Sequence, residues 1–142
     1  MLNSPSRKAP EALILKAHDA ISDVLVEVTG MNSILLCSPD GFELSSAHKK
    51  NIYNTSKLAA VSSSIIAMVN AFMHEIDLTG CEGMTLDAAN GKAIFRSLPN
   101  LNHPMIIVAL TSHDILLGQA LYSLKQCAEK IRLADLELTE VA

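Results

Sequence analysis

Apolar residues recur along this chain first at helical steps, then in short runs broken by turns, and at its end at helical steps again. From about Pro10 to Thr29, Leu13/Ile14, Ala17, Ile21, Val24/Leu25 and Val28 return every three or four residues. That spacing predicts an amphipathic helix, with proline at its opening and Gly30 just past its end. Ser33–Cys37 is a short apolar run. Ser38-Pro-Asp-Gly41 has the residues of a turn, and Phe42–Ser45 alternates, which predicts a hairpin. A polar connection, Ser46 to Asn54, leads into the next element.

Between Lys57 and Glu75 no Asp, Glu, Lys or Arg occurs, yet the stretch reads as one long helix with Asn54, Thr55 or Ser56 as its cap. A surface helix ordinarily keeps one charged face for water. Here Leu58, Val61, Ile65, Val69, Phe72 and Ile76 gather on one side, expected to face the core. Ala60, Ser64, Ala67 and Ala71 gather opposite, flanked by Ser63, Asn70 and His74. Small residues let another backbone come close, so this second side is expected to be covered by a neighbour. Three consecutive serines, Asn70 and His74 interrupt a run already shorter than the roughly 20 apolar residues of a membrane span, so no membrane insertion is expected.

A second hairpin is signalled by Asn90-Gly91 between Glu82–Ala88 and Lys92–Ser97. Closure on Asn90-Gly91 pairs Ala89 with Lys92, Leu86 with Phe95 and Thr85 with Arg96. After an irregular stretch, Leu98–His103, the run Pro104–Leu110 is apolar throughout, which predicts a central strand buried on both faces. A last helix is expected from about Asp114, capped by Thr111 or Ser112, with Leu117, Leu121, Leu124, Cys127/Ala128 and Ile131 inside. Beyond Arg132 the pattern weakens. The expected organisation is an arm over residues 1–9, one domain over 10–133 and a frayed tail over 134–142. Helices on both faces of a largely antiparallel five-stranded sheet accommodate this order.

At 142 residues and 49% hydrophobic content, the chain can bury a core without staples. That core is aliphatic, since Trp is absent and aromatics are few. A net charge of −4 without a basic cluster argues against nucleic-acid binding. Cys37, Cys81 and Cys127 are odd in number and form no CxxC, so neither a disulfide framework nor a zinc ribbon is expected, and the thiols read as small hydrophobes. The first ten residues lack the apolar core of a signal peptide, which points to the cytoplasm.

Chemistry finds little support. Gly80-Cys-Glu-Gly83 and Asn90-Gly91-Lys92 lack the strand-to-helix setting of a phosphate cradle. His18, His48, His74, His103 and His113 show no metal-ligand spacing, and no cofactor is expected. Asp19/Asp23 and Glu137/Glu140 are read as solvated pairs on polar helix faces. Interaction surfaces are better supported: the small-residue face of the long helix, and the strand Glu82–Ala88 with Gly83, Thr85 and Asp87. At a sheet edge that strand would offer unpaired backbone to a twin, with Glu82 and Asp87 as charged gatekeepers in the rival reading.

Four stretches in this order resemble the roadblock family (dynein light-chain roadblock type) in its bacterial, MglB-like form. They are Val28–Ser45, Lys57–Val61, Met84–Arg96, and Met105–Thr111 with Leu116–Ala120 after it. The resemblance covers about residues 12 to 131. It implies a roadblock/profilin-like sandwich with one long helix on one face of the sheet and two on the other. It further implies a homodimer with a joined ten-stranded sheet, and a non-enzymatic role regulating or scaffolding small Ras-like GTPases. Arg96 reads as a strand surface residue, since such partners reshape the GTPase's own site. The interrupted Asn100–Pro104 and the uncharged long helix depart from the family pattern. The rival classes are a small-molecule sensor, with an apolar pocket between sheet and helices, and a structural adaptor of a larger complex.

Overall fold

The computed structural model of the chain describes residues 9–49, 54–99 and 101–141. The expected arm therefore lies outside the described residues, apart from Ala9, as does part of the connection Ser46–Asn54. Helix α1 runs Glu11–Glu27, and its buried face is Leu13, Ala17, Ile21, Val24 and Leu25 of the predicted stripe together with Ala20. Pro10 stands just before the first turn and Gly30 follows the end at φ +93°, a left-handed conformation that costs glycine little.

Strands β1 (Met31–Cys37) and β2 (Glu43–His48) form the first hairpin. β2 runs three residues beyond the expected Ser45, because Ser46, Ala47 and His48 keep pairing with Leu35, Ile34 and Ser33. Strands β3 (Gly83–Ala88) and β4 (Gly91–Leu98) form the second, and β5 (Met105–Thr111) follows. The sheet order is β2-β1-β5-β4-β3 and every pairing is antiparallel. β5 is central, as an apolar run without alternation requires.

The register of the second hairpin differs from expectation. Ala88 pairs with Gly91, Leu86 with Ala93 and Met84 with Phe95, so the turn residues are Ala89 and Asn90. None of Ala88 to Gly91 takes a positive φ, so the left-handed turn that Asn-Gly favours is not used. Gly91 serves a different need: a Cβ there would meet the Thr111 carbonyl oxygen at 2.7 Å. Moving the turn by one residue shifts each partner by two, so every side chain keeps its face.

On one face α1 and helix α3 (Leu117–Val141) cover Ile34, Leu36, Ile94, Met105, Ile107 and Ala109. On the other, helix α2 (Thr55–Glu75) covers Leu35, Cys37, Phe95, Ile106 and Val108. This is the expected sandwich, one long helix against two. α3 starts later than predicted. Ser112 and Thr111 do not cap it: the Ser112 amide extends the sheet by donating to Gly30 O at 2.9 Å, and its hydroxyl donates to Asp114. That hydrogen bond holds the Asp114 carboxyl below its ordinary pKa.

α3 also continues past Arg132, where the pattern fades. Ala134 and Asp135 are buried and Leu138 packs on the core, so residues 134 to 138 of the expected tail belong to the domain. Leu121, expected inside, is partly exposed, and Ala120 takes the inner place.

Candidate protein-interaction surface

Asn54 caps α2 by accepting the Lys57 amide at 3.1 Å. The other end closes on Asp77, whose φ of 59° is left-handed. The Leu78 amide donates to Met73 O at 2.9 Å and the Asp77 amide to His74 O at 3.2 Å. This pair of hydrogen bonds is a Schellman stop.

The helix sits on the sheet in a rotation different from the predicted one. Its buried residues are Ala59, Ser62 and Ile66, with Leu58 and Ile65 half-buried beside them. Val61 is 47% exposed, Phe72 62% and Ile76 47%, so half of the expected inner stripe faces outward. Volume explains the correction. The sheet already supplies bulk here through Leu35, Phe95, Ile106 and Val108, and small residues let the helix backbone settle on it.

Between Lys57 and Glu75 the outer surface of α2 therefore exposes large apolar residues and carries no formal charge. Ala60, Ser64, Ala67, Asn70, Ala71 and His74 are all exposed in the single chain, and Met68 (69% exposed) and Phe72 stand beside them. Ser63 is half-buried for a local reason. Gly41, at φ +96° in the β1–β2 turn, comes so close that a Cβ there would meet Ser63 Oγ at 3.0 Å and Ala60 Cα at 3.3 Å. The top of the row thus also seats the chain's own hairpin. Solitary monomers rarely leave so much adjacent apolar surface wet. Composition reasoning found the uncharged helix, but periodicity alone could not say which apolar row would be turned outward.

β3 is an edge strand, and its free side is defined by backbone phase. The Ser97 amide donates to Glu82 O at 3.0 Å, which makes 82/97 a hydrogen-bonded pair. Antiparallel pairs alternate, so Gly83, Thr85 and Asp87 point their N–H and C=O away from β4. These are the strand residues singled out from sequence. Lys92 Nζ meets Asp87 at 2.5 Å and an Arg96 guanidinium nitrogen meets Glu82 at 3.1 Å, ion pairs in which both carboxylates stay largely exposed. Both acids at the edge have their cationic partner within their own hairpin. On the α2 face of this edge, Leu86 is 45% exposed and Met84 and Ala93 are half-buried, continuing the apolar surface of the helix.

Among the described residues no three His, Cys, Asp or Glu side chains stand together as a metal site. Burial pushes the Cys37 and Cys127 thiols up to about 12, so they stay protonated at neutral pH. His103 meets buried Asp135 at 2.9 Å, a pairing that general bases use. The hydroxyl in the same cleft, Ser38, is engaged elsewhere, donating to Asp40 at 2.6 Å and accepting from the Phe42 amide at 3.1 Å.

No protein-family model and no curated protein matches the chain. Solved structures do. The gliding protein MglB of Thermus thermophilus superposes with a TM-score of 0.81 at 15% identity, over 95% of this chain and 99% of that one. MglB of Myxococcus xanthus gives 0.79 at 14% identity, over 88% and 91%. A Roadblock/LC7 domain from Streptomyces avermitilis gives 0.73 at 13%, over 81% and 93%. Across nearly the whole of each partner the layers coincide, and the chain has the roadblock/LC7 fold in the form that MglB takes.

Proposed function

We propose that the chain works as a two-fold homodimer, closed through α2 and β3, that regulates or scaffolds a small Ras-like GTPase in the cytoplasm. One observation carries the reading: α2 turns an uncharged row (Ala60, Ser64, Ala67, Ala71) and a large apolar flank (Val61, Met68, Phe72) to solvent at once. Antiparallel packing of two such helices, with Ser63, Asn70 and His74 along the seam, would dry most of that surface. Edge pairing at Gly83, Thr85 and Asp87 would continue the sheet through the axis. The likeness of the fold to MglB, together with the motif resemblance, supports the GTPase as partner. No catalytic residue is assigned to this chain; its contribution would be to favour one conformation of the GTPase by unequal contacts.

Light scattering should give twice the chain mass. Pull-down with GTP- and GDP-loaded Ras-like GTPases, beside hydrolysis rates with and without this protein, tests the partner. Unequal capture of the two forms supports the regulator. Equal capture identifies a nucleotide-independent adaptor, and no capture of any GTPase removes the proposal.

A further inference from the structure

Resting on the homodimer reading, we infer that β3 pairs with its copy in one register, with the two-fold axis through Thr85. A strand that pairs with itself antiparallel must place outward-pointing residues opposite outward-pointing ones to hydrogen-bond. Gly83, Thr85 and Asp87 point outward and Met84, Leu86 and Ala88 inward. The axis therefore passes through a residue and never between two, which leaves Met84, Thr85 and Leu86 as the central choices.

An axis at Thr85 sets Thr85 against its copy and Gly83 against Asp87 in both directions, so all three outward residues are matched within the strand. An axis at Met84 or Leu86 matches two of them and sends the third beyond the strand, toward Cys81 or Ala89. Side chains agree with the count. On the α3 face the Thr85 pair can exchange a hydroxyl hydrogen bond. On the α2 face Met84 lies beside Leu86 of the other copy, closing the apolar surface there. An axis displaced to Asp87 would oppose two carboxylates, which is unfavourable.

The occupant is a second copy because the edge is electrically silent toward itself. Lys92 and Arg96 form ion pairs with Asp87 and Glu82 from the neighbouring strand, so the edge brings no net charge to its twin. Among the described residues the Gly83 carbonyl takes a weak thiol contact, 3.7 Å from Cys81 Sγ, which the Asp87 amide of the other copy would replace.

Cysteine cross-linking decides the register. In a Cys81→Ala background, with Cys37 and Cys127 buried, Met84→Cys, Thr85→Cys and Leu86→Cys are each oxidised under identical mild conditions. Opposed residues of a hydrogen-bonded pair stand about 5.5 Å apart between Cα atoms, within disulfide range. Thr85→Cys is expected to form covalent dimer at least about tenfold faster than the other two. A dimer by light scattering in which Met84→Cys or Leu86→Cys is fastest overturns the register and leaves the dimer standing. A dimer that cross-links at none of the three overturns β3 pairing. A monomer by light scattering removes the homodimer reading itself. Gly83→Cys is unsuitable, since a Cβ there would lie 2.5 Å from the Phe95 carbonyl oxygen.

Discussion

The carboxylate of Asp135, 2% exposed near the end of α3, accepts the backbone amide of Asn102 at 2.7 Å. It also accepts the His103 amide at 3.2 Å and His103 Nδ1 at 2.9 Å. One side chain thus satisfies the irregular loop between β4 and β5 and ties it to the last helix. Asp135→Ala leaves buried donors without an acceptor, and we expect it to cost about 2–4 kcal/mol. Asp135→Asn, which keeps one carbonyl acceptor, should cost less. Urea denaturation of the two variants measures both, and equal midpoints with the parent would refute the clamp.

The surface of α2 makes a separate prediction. Ala67→Glu or Ala71→Lys would bury an unpaired charge between two helices and should leave a monomer or an aggregate. Because both positions are exposed in a single copy, circular dichroism of a soluble monomer should keep its helix content. Unchanged mass by light scattering counts against the interface.

Asp77 holds a left-handed conformation at the end of α2 without glycine's freedom. Asp77→Gly should therefore stabilise the fold by roughly 0.5–1 kcal/mol, provided the Schellman stop persists. Thermal denaturation checks this, and a fall in Tm contradicts it.

The thiols predict a pH dependence of definite sign. Burial raises Cys37 and Cys127 from 9.0 to about 12. Unfolded thiols ionise above pH 9 while the folded ones stay neutral. Their contribution is therefore complete below pH 9 and is lost as pH rises from 9 towards 12. At neutral pH a thiol reagent should modify half-buried Cys81 quickly and the other two only on unfolding. Three fast thiols in the native protein would show the burial to be wrong.

Hydrophobic spacing carried most of the architecture because its cause is local. The α1 stripe, the unalternating β5 and the two hairpins follow from which side chains must leave water. The rotation of α2 was not legible in that way. It depends on what lies beneath the helix, and Leu35 and Phe95 come from strands far away in sequence. The second turn was misplaced because Gly91 answers to the Thr111 carbonyl of β5, a tertiary demand. The role of Asp135 is not local either: its partners lie 32 and 33 residues away, and acidic residues late in a fading pattern look solvated. Of the candidate surface, composition exposed the uncharged helix and turn chemistry the edge strand. The ion pairs from Lys92 and Arg96 depend on the register of the hairpin, which spacing does not fix.

The central position of β5 has a consequence for synthesis. β1–β2 and β3–β4 are each complete hairpins before Met105 is made, yet they share no pairing without the strand between them. A nascent chain ending short of Leu110 carries two separate halves, and the arrival of one apolar segment welds them. Premature termination or slow translation near Pro104 would accordingly leave two sticky ribbons rather than most of a protein.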